Sequence, residues 1–146
     1  MSIDREYSWA TDVVHTGDEL IPLITGAVVK AWPSEDALQQ FLLELLMGAG
    51  VPAEREYSLA DGRSRVDLFV PTRAVAGDTQ YPPKGIAVEV KVKGSRGDVF
   101  RQLTRYSQCS DVLEVVLVTT SAAHLGLPST IELVPLTVIP ILEGGL

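Results

Sequence analysis

The chain has 146 residues, 46% of them hydrophobic and 21% charged, the balance of one globular domain and not of a disordered or fibrous chain. Its single cysteine, Cys109, excludes an internal disulfide and fits a reducing compartment. No basic-then-apolar leader and no apolar run of roughly 20 residues is seen, so the expectation is a cytoplasmic protein without a membrane span. The net charge is −7, yet it is unevenly divided: Arg63 to Arg105 holds nine basic and four acidic residues (+5), and the remainder three basic and fifteen acidic (−12). A localised basic face is what phosphate binding requires, and an acidic remainder limits loose binding elsewhere.

In chain order, Leu20, Leu23, Ile24, Ala27, Val28 and Ala31 recur at helical spacing, with Asp18 as a cap and Pro22 in the first turn. Residues 1–32 read as an N-terminal extension packed on a domain of residues 33–146. A clearer helix opens at Pro33-Ser34, with Ser34 as N-cap and Glu35 and Asp36 where the dipole favours acids. Leu38, Phe41, Leu42, Leu45 and Leu46 form its apolar stripe, and Gly48 and Gly50 end it. Three strands follow, over 53–60, 64–70 and 86–93. Asp61-Gly62 makes the first turn, Pro71 stops the second strand, and the Pro82-Pro83 loop leads to the third. A helix is expected from Arg96 to Cys109, a buried strand over 113–120, a short helical turn at His124, and an edge strand in the proline-interrupted tail from Ile131 to Leu142. The pattern predicts an α/β fold, a mixed central sheet flanked by helices in the order αβββαβ.

The third strand, Ile86-Ala-Val-Glu89-Val-Lys91-Val-Lys93, alternates so that Ile86, Val88, Val90 and Val92 face a core while Glu89, Lys91 and Lys93 share the other face. In the second strand Val66, Leu68 and Val70 take one face and Asp67 the other. Pairing the strands with their cores aligned brings Asp67 to Glu89 and Lys91. Two adjacent carboxylates repel, and a cation makes the arrangement reasonable. Oxygen ligands suit Mg²⁺ or Mn²⁺.

Asp67, a gap of 21 residues, then Glu89-Val90-Lys91 on neighbouring strands after a helix resembles the PD-(D/E)xK nuclease superfamily. Gln102-x-x-x-Tyr106 on the next helix resembles its RecB-like, Holliday-junction-resolvase-like branch. The resemblance spans about residues 34 to 142 and implies a restriction-endonuclease-like core. It further implies Asp67 and Glu89 as metal ligands, the Val90 carbonyl as a third, and Lys91 as the catalytic lysine. Family members often add a glutamate from the first helix, for which Glu44 is the candidate. The proline that precedes the aspartate in the family is replaced here by Val66. Gln102, Arg105 and Tyr106, with Arg101, Lys93 and Arg65, would hold the substrate.

The expected activity is therefore Mg²⁺- or Mn²⁺-dependent hydrolysis of phosphodiester bonds in DNA, directed by substrate structure or by partners because the chain has little room for a sequence-reading domain. Cutting of branched DNA would require a homodimer. The competing expectation is an inactive nuclease-fold interaction or DNA-binding module, which would usually lack one motif residue. His15 and His124 lie far apart in the chain and lack metal-ligand neighbours, so neither is expected to be catalytic; Trp9 and Trp32 read as packing residues. The chain shows no glycine-rich phosphate loop, zinc spacing or Ser-His-Asp pattern.

Overall fold

The computed structural model of the protein describes residues 16–26, 34–73 and 83–141. The expectations for His15, Trp9, Trp32, Ala27, Val28, Ala31, Pro33 and most of the 72–85 loop fall outside them.

Helix α1 spans Gly17–Thr25, and its N-cap is Thr16 rather than Asp18. The Thr16 side chain makes no cap bond; instead Glu114 Oε1 accepts the Gly17 N–H at 2.9 Å. A carboxylate from the sheet thereby serves the helix end. Helix α2 spans Glu35–Gly48, capped as expected by Ser34, whose side chain accepts from Ala37 N. Strands β1 (Glu54–Ser58), β2 (Arg65–Arg73) and β3 (Lys84–Lys91) precede helix α3 (Arg96–Ser107) and strand β4 (Val112–Thr119). A 3₁₀ turn at Ala122–His124 leads to β5 (Thr130–Ile131) and β6 (Val134–Pro140).

The six strands form one mixed sheet in the order β1-β2-β3-β4-β6-β5. The β1-β2-β3 meander is antiparallel, whereas β3, β4 and β6 run parallel. Helices α1 and α2 cover one face through Leu20, Ile24, Leu38, Leu42 and Leu46, packed on Leu68, Val88, Val90 and Val116. Helix α3 covers the other through Val99, Leu103 and Tyr106, packed on Phe69, Ala87, Val115 and Leu117. This is a three-layer α/β arrangement with the sheet buried on both sides, which is why β3 and β4 read as near-continuous apolar runs.

Two expectations for the strands also change. Pro71 does not stop the second strand: β2 continues to Arg73 through a register shift between Pro71 and Arg73. The tail holds two strands, not one. β6 pairs with β4 and β5 folds back on Val134 and Pro135. The turn between them places Glu132 and Leu133 at positive φ (48° and 73°), a conformation ordinarily announced by Asn-Gly or Asp-Gly. Neither residue type is present, so the hairpin had no sequence signal.

Gly85 is fixed by the close approach of β2. A Cβ there would run into the Val70 carbonyl oxygen and lie 2.8 Å from Pro71 Cα. Both obstacles are backbone and cannot swing away. Gly85→Ala is expected to destabilise the protein by about 3 kcal/mol, seen as a lower urea midpoint at unchanged m-value. An unmoved midpoint would mean that β2 and β3 do not approach so closely.

Candidate active site

The β2–β3 ladder ends at the Leu68–Val88 pair. Beyond it the Val90 N–H donates to Asp67 Oδ2 at 2.8 Å, and the Val92 N–H donates to Glu35 Oε2 at 3.1 Å. Two carboxylates therefore take the backbone donors that a neighbouring strand would otherwise satisfy. The sheet opens at this point, at the C-terminal end of β3, where crevices in α/β sheets lie.

The opening corrects the expected face pattern of β2. Leu68 and Val70 belong to the core under α1 and α2, but Val66 belongs to the opposite core under α3. Alternation thus breaks at Asp67. On the other side, β1 pairs with β2 on either side of this point without a Glu56–Asp67 pair, and Glu56 has φ 54°. The irregularity turns the Asp67 carboxylate toward the edge of β3 instead of leaving it upright on one face.

Glu89 is 2% exposed, and its Oε1 is a buried oxygen without a hydrogen-bond partner among the described residues. Lys91 Nζ stands 3.6 Å from Glu89 Oε2, near enough for charge attraction and too far for a strong hydrogen bond. Burial, and then the neighbouring Asp67 carboxylate, push the Glu89 carboxyl up to about 8, against the pull of Lys91. Burial raises Asp67 as well, opposed by the Val90 N–H and by Lys91; Glu35 adds negative charge nearby. A buried, half-satisfied carboxyl pair of this kind holds a proton or a cation.

The donor set fits a hard divalent cation. Glu89 Oε1 is unclaimed, and in an extended strand the Val90 carbonyl points to the same side as the Val90 N–H that meets Asp67. Among the described residues no three His, Cys, Asp or Glu side chains form a metal-binding group. Mg²⁺ is ordinarily held by one or two carboxylates and keeps several waters, so two protein carboxylates suffice.

Helix α3 supplies the neighbouring wall. Gln102 Nε2 donates to the Tyr106 hydroxyl at 2.9 Å, which donates to the Arg65 carbonyl at 3.1 Å. Four-residue spacing brings the two side chains together, as expected. Burial foremost, with the Glu89 carboxyl beside it, holds the Tyr106 phenol protonated. Of the expected cationic set, Lys93, Arg65, Arg101 and Arg105 are exposed. Arg65 pairs with Glu56 at 3.3 Å, and Arg101 pairs with Asp98 one turn earlier on α3.

Glu44 stands apart from this cluster. It is exposed and accepts from Gln40 Nε2 at 2.9 Å. Nine residues of helix, about 13 Å, separate it from Glu35, the α2 carboxylate that does reach the opening. Glu35 looked like a first-turn acid serving the helix dipole. Its second role follows from where α2 starts relative to β3, which no local pattern encodes. His124 is buried, with Nδ1 2.6 Å from Thr119 Oγ1 and Nε2 2.7 Å from the Gly94 carbonyl. Both nitrogens are occupied in tying the β3–α3 loop to the end of β4.

No family model, curated protein or solved structure matches this chain.

Proposed function

We propose that this protein is a metal-dependent nuclease hydrolysing phosphodiester bonds in DNA on a restriction-endonuclease-like core. The observation that carries the reading is the Asp67–Glu89 pair at the opened end of β3, with a Glu89 oxygen that has no hydrogen-bond partner among the described residues and Lys91 alongside. Asp67 and Glu89 would hold the metal, with the Val90 carbonyl as a further donor. A bound Mg²⁺ or Mn²⁺ supplies Lewis acidity to the phosphoryl oxygens and a more acidic water.

The chain's own residues do the rest. The Val90 N–H fixes the Asp67 carboxylate, so one donor is preorganised before anything binds. Lys91, paired with Glu89, presents an ammonium that orients the attacking water or offsets charge growing on the phosphate. Gln102 and Tyr106, locked to each other and to the Arg65 carbonyl, set the wall against which a phosphate is positioned. Arg105 and Arg65 offer guanidinium forks to flanking phosphates. The substrates proposed are ones recognised by structure or brought by partners, in repair, recombination, phage or defence settings. A homodimer would suit branched substrates.

The test is cleavage of labelled single-stranded, duplex, flapped and four-way-junction DNA, and of RNA, with Mg²⁺, Mn²⁺ or EDTA. Metal-dependent cutting that disappears in Asp67→Ala is the expected result and would identify the preferred substrate. If no substrate is cut and calorimetry detects no Mn²⁺ binding, the protein is an interaction module on the same fold.

A further inference from the structure

Tyr106 has two surroundings. Its hydroxyl lies in the carboxylate environment, and the residue also lines an open cleft of about 490 Å³ between the β1–β2 turn and α3. Arg63 and Arg65 line this cleft from the turn and the start of β2, and Gln102, Arg105 and Gln108 line it from α3 and its C-cap. Arg65 has an exposed partner in Glu56, a pairing that holds little energy. Arg63 and Arg105 have no ion-pair partner among the described residues. Asp61, the acid in the lining, is engaged by the Arg63 and Ser64 N–H groups and the Ser64 hydroxyl. Two guanidiniums without an ion-pair partner among the described residues, the Asp61 carboxylate and two glutamine side chains, of which Gln108 also donates to Glu132 Oε2 at 3.0 Å, thus share one concavity on a chain of net charge −7.

We propose that this cleft is a subsite for the sugar–phosphate backbone of the nucleic-acid strand, a few nucleotides from the bond that is cut. The assignment rests on the nuclease reading and deepens it. Arg63 precedes Asp67 by four residues, at most about 13 Å of extended chain, or about four phosphates of a duplex strand at 3.4 Å rise. Guanidinium forks and amide N–H groups match phosphate oxygens. The aromatic lining residue, Tyr106, is 2% exposed and offers no face for a base to stack on. The cleft therefore grips backbone without reading sequence, which fits recognition by structure.

The experiment is anisotropy of a labelled single-stranded oligonucleotide and its duplex in EDTA across a salt series, with wild type, Arg63→Ala/Arg105→Ala and Arg63→Lys/Arg105→Lys. The alanine pair is expected to weaken binding at least 10-fold and to flatten the log–log salt slope by about 1.4 on single strands, from 0.7 per lost phosphate contact. The lysine pair should fall between. Both residues are exposed, so coincident melting curves should show an intact fold. Wild type that cuts with Mg²⁺ while the alanine pair keeps its affinity, salt slope and KM would overturn the cleft and leave the nuclease reading standing. Binding that depends on the arginines in a protein that never cuts would uphold the cleft and remove the catalytic reading. No binding by wild type at low salt overturns the subsite.

Discussion

Replacing Lys91 by alanine is expected to lower kcat by about 10³-fold, or about 4 kcal/mol of barrier, with little change in the melting temperature. The asymmetry comes from the site. Lys91 is mostly buried beside a carboxyl that burial and Asp67 already push up to about 8. When the ammonium goes, Glu89 can keep its proton at neutral pH, so no uncompensated buried charge is left behind to unfold the chain. A substrate phosphate has no such escape: charge that builds on it needs a donor at that position. Lys91→Arg should restore little, because a planar fork on a longer stem does not replace a point charge held beside Glu89. Single-turnover cleavage alongside thermal melts checks both halves. A variant that cuts within 10-fold of wild type would remove Lys91 from the catalytic set, and one that melts far lower would make it a structural ion-pair partner instead.

The residues around this chemistry differ in how far a local pattern could disclose them. Glu89 and Lys91 were legible because strict alternation over Ile86–Lys93 puts them on one face whatever the sheet order. Gln102 and Tyr106 were legible because helical spacing joins them. Asp67 was found by its type and position, but its orientation was not. It depends on a break in alternation that moves Val66 to the α3 core, opposite Glu56 at φ 54°. Glu35 is hidden from the sequence and Glu44 favoured by it, because a helical stripe ranks residues by their place around the helix. Reaching Val92 depends instead on where along β3 the helix begins. The same kind of long-range information decided the tail, where parallel pairing with β4 and a turn without glycine produced a hairpin from an apparently single strand.

In the absence of divalent metal, the stability of the protein is expected to fall as pH rises from 5 to 8, opposite to the usual behaviour of a carboxylate-rich domain. Glu89 has an ordinary value of 4.5 and is pushed up to about 8 in the fold, by burial first and by Asp67 second. The folded chain therefore keeps a proton through a window in which the unfolded chain has lost it. Its contribution is fully present below 4.5 and disappears as pH rises through 8. The full gap sets a ceiling of about 5 kcal/mol at 1.36 kcal/mol per pH unit; relaxation and water entry should reduce the observed loss to about 2–3 kcal/mol. Asp67, also raised chiefly by burial, acts in the same direction. Asp61, held low by the Ser64 hydroxyl and nearby N–H groups, acts oppositely and loses its contribution as the solution becomes more acidic. Metal-free stability should therefore peak near pH 5. Glu89→Gln should flatten the slope above that and be more stable than wild type at pH 8. Mg²⁺ or Mn²⁺ competes with the proton, so its stabilisation should grow from pH 5 to pH 8 with proton release, and it should vanish in Glu89→Gln. Urea melts at the two pH values, with and without metal, read all of this. A flat wild-type profile would mean that the Asp67–Glu89 pair is solvated and unstrained, and would remove the electrostatic reason for a cation there.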